Sequence, residues 1–186
     1  VCMRTRSLPR FAVAALSFVC AVSLQLSVRS ARASSLEEGS KAPAFEARNQ
    51  DGEVRKLSDH AGKWVLLYFY PKDDTPGCTR QACSLRDGYK QFTDAGIVIY
   101  GISRQGADSH RQFRKKHRLP FDLLVDEEGA IGKSYGIGSI PIVGLYKRQS
   151  VLIDPKGKVA KFMDSVDPDT HAQLILDQVK ASLKKF

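Results

Sequence analysis

The chain has 186 residues, 42% of them hydrophobic, with 29 Lys and Arg against 20 Asp and Glu, a formal net charge of +9. That length allows one domain of about 150 residues plus an extension, and such a domain buries a sufficient core without covalent staples. Disulfides are therefore not needed to hold the fold together, and cysteines in such a chain point to reactivity rather than architecture.

Residues 1 to 33 carry Arg4, Arg6, Arg10, Arg29 and Arg32 and no acid, with an apolar run from Phe11 to Leu24 and then Ala31, Arg32, Ala33. This is the basic, apolar, small-residue order of a cleavable targeting segment. Ser17 and Ser23 interrupt the run, which falls short of a span of about 20 residues; a retained anchor is the alternative. Removal after Ala33 takes five positive charges and lowers the formal net charge from +9 to +4. The leader suits a plastid address ending in the thylakoid lumen, with mitochondrial import and secretion or a periplasmic destination as alternatives. The chain opens on Val1, so a further segment is expected upstream. Cys2 and Cys20 leave with the leader, and Cys78 and Cys83 remain.

Residues 37 to 186 are expected to form one domain. Phe45 to Lys56 reads as a hairpin around Asn49, Gln50, Asp51 and Gly52, followed by a helical turn capped by Ser58. Trp64 to Tyr70, WVLLYFY, has no polar alternation and predicts a strand buried on both faces. Pro71 ends it, a polar loop follows, and Cys83 to Phe92 is helical until Gly96.

Ile97 to Ser103 predicts a second buried strand, Ala107 to Arg118 a polar helix, and Leu123 to Val125 a short strand before a turn at Glu127 to Gly129. The crowded cations Arg111, Arg114, Lys115, Lys116 and Arg118 read as a solvated helix face rather than a nucleic-acid patch, since Phe113 is the one aromatic among them. Ser150 to Asp154 and Lys158 to Met163 form a hairpin around Pro155, Lys156 and Gly157. Pro168 to Lys185 closes the domain as an amphipathic helix with Leu174, Ile175, Val179 and Leu183 as its apolar set. Strands separated by helices give an α/β fold with a mixed sheet covered on both faces.

The chemistry lies in Pro71 to Cys83, PKDDTPGCTRQAC. A helix that begins near Thr75 to Gly77 places Cys78 in its first turn, where unpaired N–H groups and the helix dipole favour a thiolate. Cys83 lies deeper and gains less. Ionisation alone raises the thiolate population only about ten- to thirty-fold at neutral pH. The remaining acceleration needs donors that polarise the attacked bond, with the Thr75 hydroxyl and the N–H groups around Gly77 and Cys78 as candidates. On an ideal helix, residues five apart have Cα atoms about 8.6 Å apart, beyond the roughly 7 Å that a disulfide spans without backbone movement. A Cys78–Cys83 bond therefore requires this helix to unwind. A permanent disulfide or a zinc site is the lesser alternative, since no histidine stands at ligand spacing to the pair.

Pro71, Thr75 and Cys78 spell PxxxTxxC, and with Cys83 in TPGCTRQAC, KAPAF at Lys41 to Phe45 and GIS at Gly101 to Ser103 the chain resembles the peroxiredoxins, specifically the peroxiredoxin Q or bacterioferritin comigratory protein subgroup. The resemblance implies a thioredoxin-like fold with an N-terminal β-hairpin, and reduction of hydrogen peroxide and organic hydroperoxides without cofactor or metal. It implies a peroxidatic Cys78 that becomes a sulfenic acid, a resolving Cys83 that forms an intramolecular disulfide, and thioredoxin or glutaredoxin as reductant to a monomer. Pro71 would shield the pocket, Thr75 would hydrogen-bond the peroxide or thiolate, and Arg148 would be the pocket arginine, with Lys147 as its possible confusion. No nucleic acid, and no membrane after processing, enters this reading. Rival functions are a thiol redox sensor or holdase and a protein disulfide oxidoreductase, the last of which would want CxxC. The apolar stretch Ile137 to Tyr146 has no assigned role.

Overall fold

A computed structural model describes residues 36–183; the leader, with Cys2 and Cys20, lies outside the described residues. β1 (Glu46–Arg48) and β2 (Val54–Lys56) pair antiparallel as the expected hairpin. A 3-10 turn follows at Leu57–His60. Ser58 lies inside that turn rather than capping it; the carboxylate of Asp59 instead accepts from the Lys56 backbone N–H at 3.0 Å.

A five-stranded mixed sheet forms the centre. Its order is β5 (Asp122–Val125), β4 (Ile97–Ser103), β3 (Trp64–Phe69), β6 (Gln149–Ile153) and β7 (Val159–Met163). β3, β4 and β5 are parallel, joined by helical crossovers, whereas β6 and β7 run antiparallel to their neighbours. All six residues of β3 are buried. Trp64, Leu66 and Tyr68 enter one apolar cluster and Val65, Leu67 and Phe69 the other, as the period of two requires.

The first cluster lies beneath α1 (Pro76–Asp87), α2 (Tyr89–Asp94), α3 (Ala107–His117) and α5 (His171–Leu183). The second is covered by Phe45, by Ile131 of α4 (Ala130–Ser134), by Tyr135 just after that helix, and by Tyr146. Tyr68 lies across Gly101 of the next strand, where a Cβ would come within 2.5 Å of the phenol oxygen. Glycine in GIS is thus set by the side chain beside it.

Two expectations differ from the structure. The helix after β3 begins at Pro76, within the Thr75 to Gly77 expected for its start, but it breaks at Gly88 into α1 and α2 where Cys83 to Phe92 reads as one helix. In α5 the inward set is His171, Ala172, Ile175, Leu176 and Val179, while Leu174 and Leu183 are exposed. Hydrophobicity alone misplaced the stripe, because a histidine and a small residue occupy it. α3 is polar as expected, and three of its cations are engaged within the protein: Arg111 with Asp108, Arg114 with the Phe121 carbonyl, and Lys116 with Asp74. Among the described residues no helix is long and apolar enough to cross a membrane.

Candidate active site

The site assembles where β3 hands over to α1. Tyr70 to Thr75 form the connecting loop, and Asp73 anchors it: its buried carboxylate accepts from the Tyr70 hydroxyl at 2.7 Å and the Ser109 hydroxyl at 2.7 Å, and meets His110 Nδ1 at 2.8 Å. Burial raises the Asp73 acid, but the bonds from His110, Ser109 and Tyr70 outweigh it and hold it below the usual carboxylate range. Gln105 accepts from the Asp73 backbone N–H, and Asp74, at φ 58°, pairs with Lys116 and His117 of α3. Pro71 and Thr75 are thus carried on a loop pinned at two adjacent residues.

Thr75 is the N-cap of α1, and Pro76 occupies its first position, where a missing N–H costs nothing. The Thr75 hydroxyl donates to the Lys72 carbonyl at 3.1 Å rather than capping the helix. Thr79 N–H is the first to bond back, to Thr75 O at 2.8 Å, so Gly77 and Cys78 contribute the N–H groups that helix geometry leaves unpaired. The first turn holds no acidic side chain, and its positive end is left to Cys78.

Cys78 is 1% exposed and Cys83, one helical turn and a half further along, is partly exposed; both are free thiols. Both lie inside continuous helix.

Arg148 comes from the other end of the sequence. β6 runs antiparallel to β3 with Gln149 opposite Phe69, so the residue just before β6 stands beside the loop that leaves β3. Its Nη2 donates to Cys78 Sγ at 3.3 Å, and Nη1 donates to the side-chain oxygen of Gln81. A Cβ on Gly77 would stand 3.1 Å from Nη2, so the glycine leaves the guanidinium room above the first turn. Lys147 points elsewhere, against Gly138, where a Cβ would meet its Cδ at 2.9 Å.

The structure therefore brings Cys78 and Arg148 into contact and places Thr75 and Pro71 on the adjoining loop, with the Thr75 hydroxyl turned to backbone. Sequence reasoning passed over Gln81 and His171. Gln81 is fully buried, three residues after Cys78 on the same helix face, and its amide nitrogen meets His171 Nδ1 at 3.0 Å. The spacing of Gln81 from Cys78 was a usable signal; a lone histidine about 90 positions away gave none.

The AhpC/TSA family model matches residues 39–162. Peroxiredoxin Bcp of Bacillus subtilis is 38% identical over 156 residues, covering 81% of this chain and 99% of that protein. The chloroplastic peroxiredoxin Q of Triticum aestivum is 44% identical over 137 residues, 73% of this chain but only 63% of the wheat protein, so the match spans under two thirds of that relative. A solved structure of the Xanthomonas campestris bacterioferritin comigratory protein, from work on its alkyl peroxide reduction, superposes with a TM-score of 0.72 at 30% identity over 78% of this chain and 99% of that one. Its thioredoxin-like sheet is the one described above. With a helix-terminal cysteine under an arginine, a family model matched over residues 39–162 and relatives 38% and 44% identical, the chain belongs to the AhpC/TSA family, in its peroxiredoxin Q and Bcp branch of thiol peroxidases.

Proposed function

We propose that the protein reduces hydrogen peroxide and organic hydroperoxides through Cys78, and the observation that carries this is the Arg148 guanidinium donating to Cys78 Sγ at 3.3 Å above the open end of α1. A thiolate there attacks the terminal peroxide oxygen. The O–O bond breaks, the sulfur becomes a sulfenic acid, and the departing alkoxide or hydroxide takes a proton and leaves as alcohol or water. Arg148 is placed to stabilise the thiolate and to donate to the peroxide oxygens as charge moves onto the leaving one.

Resolution follows by attack of Cys83 sulfur on the sulfenic sulfur, releasing water and forming a Cys78–Cys83 disulfide. An external dithiol, thioredoxin or glutaredoxin, then takes over the disulfide and returns both thiols. Because both cysteines belong to one chain, the cycle needs no partner subunit, and a monomer is the form we assign. The leader is assigned to plastid import, supported by the relatives of plants that carry the chloroplastic designation.

The test is rapid mixing of reduced 34–186 protein with one equivalent of hydrogen peroxide, followed by mass spectrometry. Oxidation far faster than that of a free thiol, with a product lighter by two hydrogens and crosslinked between Cys78 and Cys83, is the expected result. A rate no better than free cysteine would turn the assignment toward a redox sensor.

A further inference from the structure

Behind the Cys78–Arg148 contact lies a buried row of polar groups whose hydrogen-bond directions are fixed by one member. An arginine side chain has five N–H donors and no acceptor. The Gln81 atom facing Arg148 must therefore be the amide oxygen, which receives Nη1. The amide nitrogen is then turned to His171, 3.0 Å from Nδ1. An amide nitrogen only donates, so Nδ1 accepts, and the imidazole must be neutral with its proton on Nε2.

The surroundings favour that form. His171 and Gln81 are both fully buried. Burial, aided by the Arg148 charge, pushes the imidazole down to about 4, so it remains neutral at physiological pH. Nε2 has no hydrogen-bond partner among the described residues, which leaves the Gln81 contact as the one that sets the direction of the row.

We propose that His171 is a positioning residue for the peroxidase reaction: by accepting from Gln81 it holds the amide in the single orientation whose oxygen receives Arg148, and so keeps the guanidinium on Cys78. This deepens the peroxidatic reading of Cys78 and rests on it. Without an acceptor at position 171, the Arg148 bond alone orients the amide and its buried nitrogen is left without a partner. Turning that nitrogen toward any other acceptor takes the amide oxygen off the guanidinium and releases Arg148 from the sulfur. His171 touches neither sulfur nor peroxide in this scheme; it acts through Gln81.

Two substitutions separate positioning from packing. His171→Phe keeps a ring and removes the acceptor, whereas His171→Asn loses the ring and keeps an oxygen near the place of Nδ1. We expect His171→Phe to slow the bimolecular oxidation of Cys78 by about tenfold, the loss of roughly one well-aimed hydrogen bond, and His171→Asn to stay within about threefold of wild type by the same measure. In an Arg148→Ala background, His171→Phe should cause no further loss, since the arm through which it acts is gone. Nitrogen NMR of the reduced protein should show the His171 proton on Nε2. A proton on Nδ1, equal slowing by Phe and Asn, or full additivity with Arg148→Ala would overturn the proposal even if both variants are less stable. If Cys78→Ser consumed peroxide at the wild-type rate, the reading beneath it would fall instead, and the proposal with it.

Discussion

Single residues divide the proposed reaction into separable parts. Cys78→Ser removes the nucleophile and should abolish peroxide consumption. Cys83→Ser should leave the first oxidation intact and stop thioredoxin-linked turnover after one equivalent, so a coupled assay and a single-turnover assay disagree for this variant alone. Gly77→Ala is more discriminating. The new methyl would stand 3.1 Å from Nη2, closer than such contacts normally come, and helix propensity rises at the same time. The expected outcome is a protein of equal or greater stability whose Cys78 is oxidised several-fold more slowly; unchanged kinetics would show that Arg148 has room to spare. PxxxTxxC was legible here because its residues are contiguous. Arg148 was legible only through the family, Gln81 only as a residue three positions from Cys78 on one helix, and His171 not at all, since the contacts that join them exist only once β6 and α5 are docked.

At the scale of elements, α1 is where the fold and the chemistry conflict. Its inner face buries Ala82 and Leu85 completely, and its outer side is tied by Arg80 to Asp169 at 3.1 Å and by Arg86 to the His117 carbonyl at 2.8 Å. Cys78 and Cys83 cannot approach while these hold, because the helix keeps their Cα atoms about 8.6 Å apart. Oxidation should therefore raise amide exchange across 76–87 by orders of magnitude and leave β3 and β4 protected, read by hydrogen–deuterium exchange of reduced and disulfide forms. The break at Gly88 was not visible in the sequence, where Cys83 to Phe92 reads as one helix. A Cβ at Gly88 would meet the Phe92 ring at 3.3 Å, so glycine at the break leaves that buried ring its room. The strands were far more legible, since β3 and β4 declare themselves by apolar runs, whereas the fit of Tyr68 over Gly101 exists only in the paired sheet. Gly101→Ala should cost on the order of 1–3 kcal/mol in chemical denaturation.

For the whole molecule, acid is the informative stress. The native His171 titrates at about 4 because burial, and then Arg148, disfavour its charged form, whereas its ordinary value is 6.5. Between those values the unfolded chain binds a proton that the native one refuses. Stability is therefore complete above about pH 6.5 and declines as pH falls toward 4, by an amount on the order of 3 kcal/mol. Burial lowers His60 as well and adds in the same direction. Urea midpoints collected from pH 7.5 to 4.5 should fall accordingly, and His171→Phe should flatten most of the slope. A flat wild-type profile would mean that the imidazole is solvated.

A helix that must melt before its own cysteines can meet also keeps time. In the proposed cycle, once Cys78 is a sulfenic acid, two events compete for it: the opening of α1, whose rate belongs to the protein, and the arrival of a second peroxide, whose rate belongs to the surroundings. When peroxide is scarce the opening wins and the disulfide forms. When peroxide floods in, the second collision wins, and the sulfur advances to a sulfinic acid that thiols do not restore. In that scheme, substitutions that make α1 sturdier would yield a more stable protein that is more easily inactivated by its own substrate.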